Sequence, residues 1–122
     1  MSHAPRLPWT FDRAAALQLV DGDDALLDDL LTLFIANGPS WLEAVGRSIL
    51  SDNSASLSES AHALRGAAGY LAAPHFITAA QKLETLGRDG HVRTARAEWP
   101  AFEAMAQDVL SALRQALSGT CS

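Results

Sequence analysis

The sequence predicts an all-α fold: an antiparallel, up-down four-helix bundle with an additional short N-terminal helix. Alanine and leucine dominate the 122 residues while valine and isoleucine are scarce, and this balance favours helices over strands. Apolar residues recur at steps of three and four along most of the chain, as they do on the buried face of an amphipathic helix. The turns between these stretches are short, so consecutive helices are expected to pack as antiparallel neighbours.

The N-terminal part of the chain is predicted to contain a loose arm and one short helix. Residues 1–9 are interpreted as a flexible arm and residues 10–118 as the bundle domain. A short amphipathic helix is predicted over residues 11–19, and Asp23 or Asp24 can cap the helix that follows it. We expect the short helix to lie as a lid on the bundle.

Two long helices are predicted next. The first of them contains Gly38 and Pro39, where we expect a kink or a short break. The second is predicted over residues 54–71, and the capping-box spacing of Ser56 and Glu59 would place its start slightly later. Its expected core stripe is Leu57, Ala61, Leu64, Ala68 and Leu71.

Prolines and glycines mark the boundaries of the last two helices. Pro74 suits the first position of one helix, and Gly87 and Gly90 are expected to mark its end. The other helix carries the apolar residues of the segment 92–117, with Pro100 as a bend or as the start of a fresh helix. The chain is therefore predicted to fold as a single helical domain.

Composition argues against several classes of function. The formal net charge is −5 and the isoelectric point is near 5.1, whereas a nucleic-acid-binding surface normally needs a basic stripe. No apolar run approaches the roughly 20 residues of a membrane-spanning helix, and the first residues lack the apolar stretch of a signal peptide. Cys121 is the only cysteine, so no intrachain disulfide can form. We expect a cytoplasmic monomer that binds neither nucleic acid nor membrane.

One histidine is predicted to face water from the middle of the 54–71 helix. At about 100° per residue, His62 points roughly 140° away from the centre of the core stripe. Arg65 lies beside it on the helix surface, where its guanidinium could meet the oxygens of a phosphoryl group held on the imidazole. Considered in isolation, Arg65 would instead be an ordinary solvated arginine.

Two glycines, Gly66 and Gly69, follow His62 on the same helix. A glycine inside a helix costs roughly 0.5–1 kcal/mol relative to alanine, so some advantage should offset that cost. Close approach of a partner to the histidine is one explanation, and it is favoured for Gly66. Close packing by a neighbouring helix is the other, and it suits Gly69 better than Gly66.

The spacing around the turn at Ala73 relates His62 to Glu84. If the 54–71 helix and the next one form an antiparallel hairpin, both residues lie eleven positions from Ala73 (73 − 62 and 84 − 73) and at the same level. Glu84 could then accept a hydrogen bond from one imidazole nitrogen and leave the other nitrogen free as a nucleophile. Arg88 should lie near the level of Ser58. An ordinary Glu84–Arg88 helix pair is the alternative interpretation, and both interpretations can hold together.

These residues resemble the histidine-containing phosphotransfer (HPt) domains. The family pattern is His-x-Leu-Lys-Gly-Ser, followed by Gly-Ala and then by a Leu-Glu or similar pair. The matching residues are His62-Ala63-Leu64-Arg65-Gly66, Ala72-Ala73, Leu83-Glu84 and Leu86-Gly87-Arg88. Upstream, the segments 21–27 and 34–42 look like the family's second helix, and the resemblance extends over roughly residues 12–117.

The resemblance implies a role for each matching residue. His62 corresponds to the phosphorylated histidine, and Arg65 to the cation, usually lysine, that neutralises the phosphoryl group. Gly66 corresponds to the glycine that clears space for the partner, and Glu84 to the residue that bonds the histidine. The residues expected to contact the partner are Ser58, Gly66, Gly69 and Arg88.

Three positions depart from the family pattern. Arginine replaces lysine at Arg65 and keeps the charge, Ala67 replaces the usual serine, and Ala72 replaces the usual glycine of the turn. None of them removes the histidine, so a competent domain is expected.

The resemblance implies a phosphoryl carrier of a two-component phosphorelay without kinase activity. It would accept a phosphoryl group on His62 from a phospho-aspartate on a receiver domain of a response regulator or hybrid histidine kinase, and pass it to another receiver. We expect no cofactor, with Mg²⁺ supplied by the receiver, and we find no nucleotide-binding loop.

Two other functions are considered. A metal-binding bundle would use His3, His62, His75 and His91, but their spacing is not that of bundle metal sites. A helical adaptor would bind a receiver or kinase domain without phosphotransfer.

Overall fold

The computed structural model describes residues 9–118, which form five α-helices and no β-strand in that range. The helices are α1 (Arg13–Gln18), α2 (Asp24–Leu50), α3 (Ser54–Ala67), α4 (Pro74–Arg88) and α5 (Val92–Ser118), and a 3-10 turn, Ala68–Tyr70, continues α3. The predicted all-α fold is confirmed. Most of the predicted arm lies outside the described residues, as do His3 and Cys121. Trp9, the last residue of that arm, is partly buried and packs near Phe11.

Aspartate and asparagine side chains cap the first three helices. Asp12 caps α1, Asp23 caps α2 and Asn53 caps α3. The capping box predicted from Ser56 and Glu59 is wrong. The side chain of Asn53 accepts a hydrogen bond from the backbone N–H of Ser56 at 3.0 Å, so the helix begins at residue 54.

The prolines inside the two long helices do not end them. α2 continues through Pro39 and α5 continues through Pro100. Of the expected kink or short break at Gly38–Pro39, the break is absent from the described chain, and of the expected bend or fresh helix at Pro100, the fresh helix is absent. Each helix buries apolar side chains on both sides of its proline, such as Phe34 and Leu42 in α2. This packing compensates for the backbone hydrogen bond that proline cannot make.

The core stripe of α3 is confirmed. All five of its predicted members are at most 1% exposed. α3 packs against α2 and α4, and α5 packs against the same two helices. Phe76 of α4 stacks on Phe102 of α5 with ring centroids 5.3 Å apart. The inner face of α3 is therefore fixed by two neighbours, while its outer face is open.

The short helix α1 is attached to the N-terminal turns of α2. Ala16 is fully buried, and Arg13 forms ion pairs with Asp24 at 2.9 Å and Asp28 at 3.0 Å. Within residues 9–118 no helix combines the length and the apolar character needed to cross a membrane.

Candidate functional site

His62 projects from the outer face of α3. Its side chain is 65% exposed, whereas Ala61 and Leu64 beside it are buried. The predicted orientation of His62 is therefore confirmed. It follows from the helical period, because the residues that fill the core lie on the opposite side of α3.

Glu84 of α4 holds the imidazole from the side. Its Oε2 atom lies 2.8 Å from Nδ1 of His62, so the two residues are at the common level that the hairpin argument predicted. The Glu84 side chain is only 13% exposed. Among the described residues Glu84 forms ion pairs with His62 and Arg65, and none with Arg88. The alternative Glu84–Arg88 helix pair is therefore not formed.

Arg65 completes a three-residue cluster. Its Nε atom donates a hydrogen bond to Oε1 of Glu84 at 2.8 Å, and its Nη2 atom lies 3.1 Å from Nδ1 of His62. The Arg65–Glu84 contact was not predicted from the sequence, where the guanidinium was interpreted as a partner for a phosphoryl group or as a solvated group. The equal spacing of His62 and Glu84 from Ala73 could have revealed it, since it places Glu84 within one turn of Arg65.

The charge of Glu84 is stabilised by this cluster. The hydrogen bond from Arg65 lowers the pKa of Glu84 below its ordinary value of 4.5, and the hydrogen bond from His62 adds to the lowering, while burial opposes both. Glu84 is therefore ionised at neutral pH. An ionised carboxylate can only accept hydrogen bonds, so Nδ1 of His62 carries the hydrogen.

The other ring nitrogen is left free. In the neutral ring a hydrogen on Nδ1 leaves the lone pair on Nε2. Among residues 9–118 no group forms a hydrogen bond with Nε2 of His62. The arrangement can therefore present a nucleophilic nitrogen to a partner.

The surface near His62 lacks side chains at two positions. Gly66 and Gly69 are exposed, and no described atom outside their local helix lies within 4 Å of the Cβ position of either residue. Close packing of a neighbouring helix was expected to explain Gly69 better than Gly66. This explanation is wrong, because no described neighbouring element covers Gly69. Internal packing accounts for neither glycine, whereas the approach of a partner can account for both.

Gly87 has a different role from the one predicted. A Cβ atom at this position would lie 2.6 Å from the backbone nitrogen of Ser58 and 2.9 Å from the carbonyl oxygen of Ser54. Gly87 therefore permits close contact between α3 and α4, and the left-handed residue that follows α4 is Gly90, with φ +79°. Ser58 is half-buried at this contact, and Arg88 is exposed.

Besides His62, residues 9–118 contain two histidines, and neither joins the cluster. His75 is the second residue of α4 and His91 precedes α5, so both lie at helix termini, and both are exposed. Over residues 9–118 no group of three or more His, Cys, Asp or Glu side chains is arranged to hold a metal ion.

Comparison with known families identifies the family of the chain. The model of the Hpt domain family matches residues 29–118, which is most of the chain, and the protein belongs to this family. Hpt domains are phosphoryl carriers that act through a histidine in two-component signalling and interact with receiver domains. No curated protein and no solved structure matches the chain. The family match includes His62, Arg65 and Glu84 and begins after the segment 21–27, where the resemblance was also noted.

Proposed function

We propose that this chain is a histidine phosphotransfer protein of a two-component phosphorelay. Nε2 of His62 accepts a phosphoryl group from the phospho-aspartate of a receiver domain and passes it to a second receiver. The observation that carries the proposal is the 2.8 Å contact between Nδ1 of His62 and Glu84 in a ring that is otherwise exposed. Because Nδ1 carries the hydrogen in this contact, the lone pair of the neutral ring is on Nε2, the outward nitrogen.

The surroundings of His62 suit an in-line reaction with a bulky partner. Phosphoryl transfer depends mainly on positioning and on neutralising charge, which Arg65 provides within one helical turn. The bare backbone at Gly66 and Gly69 gives a receiver room to bring its aspartate to the ring. We place Ser58 and Arg88 at the margin of this contact, because both lie where α3 meets the end of α4.

The carrier itself is proposed to be a monomeric antiparallel four-helix bundle with α1 attached. The connections 51–53, 71–73 and 89–91 are three residues each, and consecutive helices pack against each other. Helices joined so tightly pack side by side only when they run in opposite directions. We propose that Mg²⁺ comes from the receiver, as the donor groups near His62 are one carboxylate and one cation.

Phosphotransfer from labelled receivers tests the proposal. Receiver domains phosphorylated with radioactive phosphate would be incubated with the wild-type chain, with His62→Gln and with His75→Gln. The wild type and His75→Gln are expected to acquire an acid-labile, alkali-stable label, and His62→Gln is expected to acquire none. His75→Gln is the matched control because it also removes an exposed histidine.

The alternative functions give different results in the same assay. An adaptor would bind receivers and take up no label. A label that survives in His62→Gln would show that another residue carries the phosphoryl group. Either result, obtained across all receivers of the source organism, would overturn the proposal.

A further inference from the structure

Two groups compete for one ring nitrogen of His62. Nδ1 lies 2.8 Å from Oε2 of Glu84, which only accepts hydrogen bonds, and 3.1 Å from Nη2 of Arg65, which only donates them. In the neutral, unphosphorylated ring Nδ1 donates its hydrogen to Glu84 and has no lone pair for Arg65. The guanidinium is nevertheless held in this place, because its Nε atom is bonded to Oε1 of the same carboxylate at 2.8 Å.

Phosphorylation changes what Nδ1 can accept. The lone pair of Nε2 attacks phosphorus, the bond from phosphorus to the aspartyl oxygen breaks, and aspartate leaves as a carboxylate. The ring is then a cation that still carries a hydrogen on Nδ1. When that proton is released to water, Nδ1 has a lone pair, and Nη2 of Arg65 already lies at hydrogen-bonding distance from it.

We infer that Arg65 and Glu84 set the lifetime of the phosphorus–nitrogen bond by competing for Nδ1 of phosphorylated His62. The inference rests on the proposed function. When the bond breaks, its electron pair returns to the ring, which leaves as neutral imidazole if Nδ1 is protonated and as a much poorer leaving group if it is not. Glu84 favours the protonated, reactive form, and Arg65 favours the unprotonated, persistent form. Arg65 is thus a positioning residue that acts through the ring.

The other charged side chains around α3 lie further from the His62 ring than Arg65 and Glu84 do. The outward residue Glu59 lies on α3 itself, Arg88 lies on α4, and α2 carries the pair Glu43–Arg47, whose atoms are 3.1 Å apart. Among residues 9–118 only Arg65 and Glu84 form hydrogen bonds or ion pairs with the His62 ring.

The pH dependence of phosphoryl loss tests the inference. The full chain would be phosphorylated with phosphoramidate, the reagent removed, and hydrolysis followed by ³¹P NMR from acidic to alkaline pH. His62→Gln gives the background from other histidines. Glu84→Gln should move the midpoint of the pH–rate profile to lower pH, and Arg65→Gln should move it to higher pH. A shift of one unit corresponds to about a tenfold change in rate on the sloping part of the profile.

Two further variants separate the ring contact from a general charge effect. Arg65→Lys keeps the charge, but lysine has one nitrogen and cannot contact Glu84 and Nδ1 of His62 through two separate nitrogens, as arginine does. The midpoint of the pH–rate profile of this variant should therefore also move to higher pH. Arg93→Gln removes an exposed arginine of α5 and should leave the profile unchanged.

Several results would overturn the inference. An Arg65→Lys profile that coincides with the wild type, or an Arg65→Gln change that is uniform at all pH values, would show that Arg65 acts only through its charge and not through Nδ1 of His62. Failure of phosphoramidate to label His62 would show that the ring is not the nucleophile described. If the profiles shift as expected but no receiver phosphorylates the chain, the proposed function fails and the competition at Nδ1 stands.

Discussion

The backbone of Gly87 lies directly against that of Ser58, so that a Cβ atom added to Gly87 would come within 2.6 Å of the Ser58 nitrogen. Gly66 shows the opposite situation, since no described atom outside its local helix lies within 4 Å of its Cβ position. The first glycine lets two helices approach each other. The second leaves part of the outer surface of α3 bare.

Alanine at these two glycines should have opposite effects on stability. Gly66→Ala should raise the free energy of unfolding by roughly 0.5–1 kcal/mol, because alanine is the better helix former and meets no neighbour. Gly87→Ala should lower it by about 1–3 kcal/mol, because the backbone of α3 must shift. Urea denaturation measures both changes.

Gly66→Ala should slow phosphotransfer although it raises the stability of the fold. The more stable Gly66→Ala variant should accept label from a receiver more slowly than the wild type, since the added methyl group lies where the partner approaches. A variant that is both more stable and equally fast would show that the receiver does not contact this part of α3.

The ion pairs of Glu84 should make stability depend on pH. The pKa of Glu84 is lower in the folded chain than its ordinary value of 4.5, because of the hydrogen bonds from Arg65 and His62. The stabilisation by ionised Glu84 is therefore fully present at pH values above the pKa that Glu84 has in the unfolded chain. It is lost as the pH falls through the lower pKa that Glu84 has in the folded chain. The difference in unfolding free energy between wild type and Glu84→Gln should thus be larger at neutral pH than in acid. Denaturation at a series of pH values measures it, and a difference that grows on acidification would contradict the assignment.

The turn before α4 holds Ala72 in a backbone conformation that glycine adopts more readily. Ala72 has a φ of +55°, a left-handed conformation that costs about 1–2 kcal/mol for a residue with a side chain. Ala72→Gly should relieve this strain, but it also raises the conformational entropy of the unfolded chain, which costs about 0.4–1 kcal/mol, so the net gain in stability should lie between about 0 and 1.6 kcal/mol. Ala72→Val should destabilise the fold, because a β-branched residue tolerates this φ worst. Thermal denaturation of both variants would test the order Gly, Ala, Val.

A buried serine links α2 to α3. Ser48 is 4% exposed, donates a hydrogen bond to the carbonyl of Ala44 and shares another with Ser56, each at 2.8 Å. Ser48→Ala should cost about 1 kcal/mol, because Ser56 loses a partner at the interface. The control is Ser40→Ala, which removes an exposed hydroxyl of α2 that forms no hydrogen bond within residues 9–118 and should change stability by less than about 0.5 kcal/mol. Equal effects of the two variants would show that the interhelical contact contributes nothing.

Periodicity accounts for the parts of the fold that the sequence predicted. The orientation of α3 follows from Leu57, Ala61 and Leu64, which leave His62 on the outer side whatever the neighbours are. The common level of His62 and Glu84 follows from the equal distances to Ala73, because a short turn fixes the register of two helices. Both inferences need only the geometry of one helix or one hairpin.

The missed features depend on distances between helices. The contact of Gly87 with Ser58 requires the separation of α3 and α4, and a sequence pattern does not contain it. The contact of Arg65 with Glu84 depends on the rotamers of two long side chains. A kink or a short break was expected at Pro39, but α2 is continuous there, because the buried residues on both sides of the proline outweigh its local preference.

Within residues 9–118 the groups that hold the His62 ring come from two helices, α3 and α4, whose inner faces are anchored by Leu64 and Leu83, at 1% and 2% exposure. A close-packed interior of this kind resists small displacements. Phosphorylation of His62 on the outer surface should therefore leave the positions of α3 and α4 almost unchanged. The phosphorylated and the unphosphorylated protein should then have nearly the same shape and differ in the surface charge that a partner meets. A receiver would distinguish them electrostatically, and this discrimination should weaken as ionic strength rises.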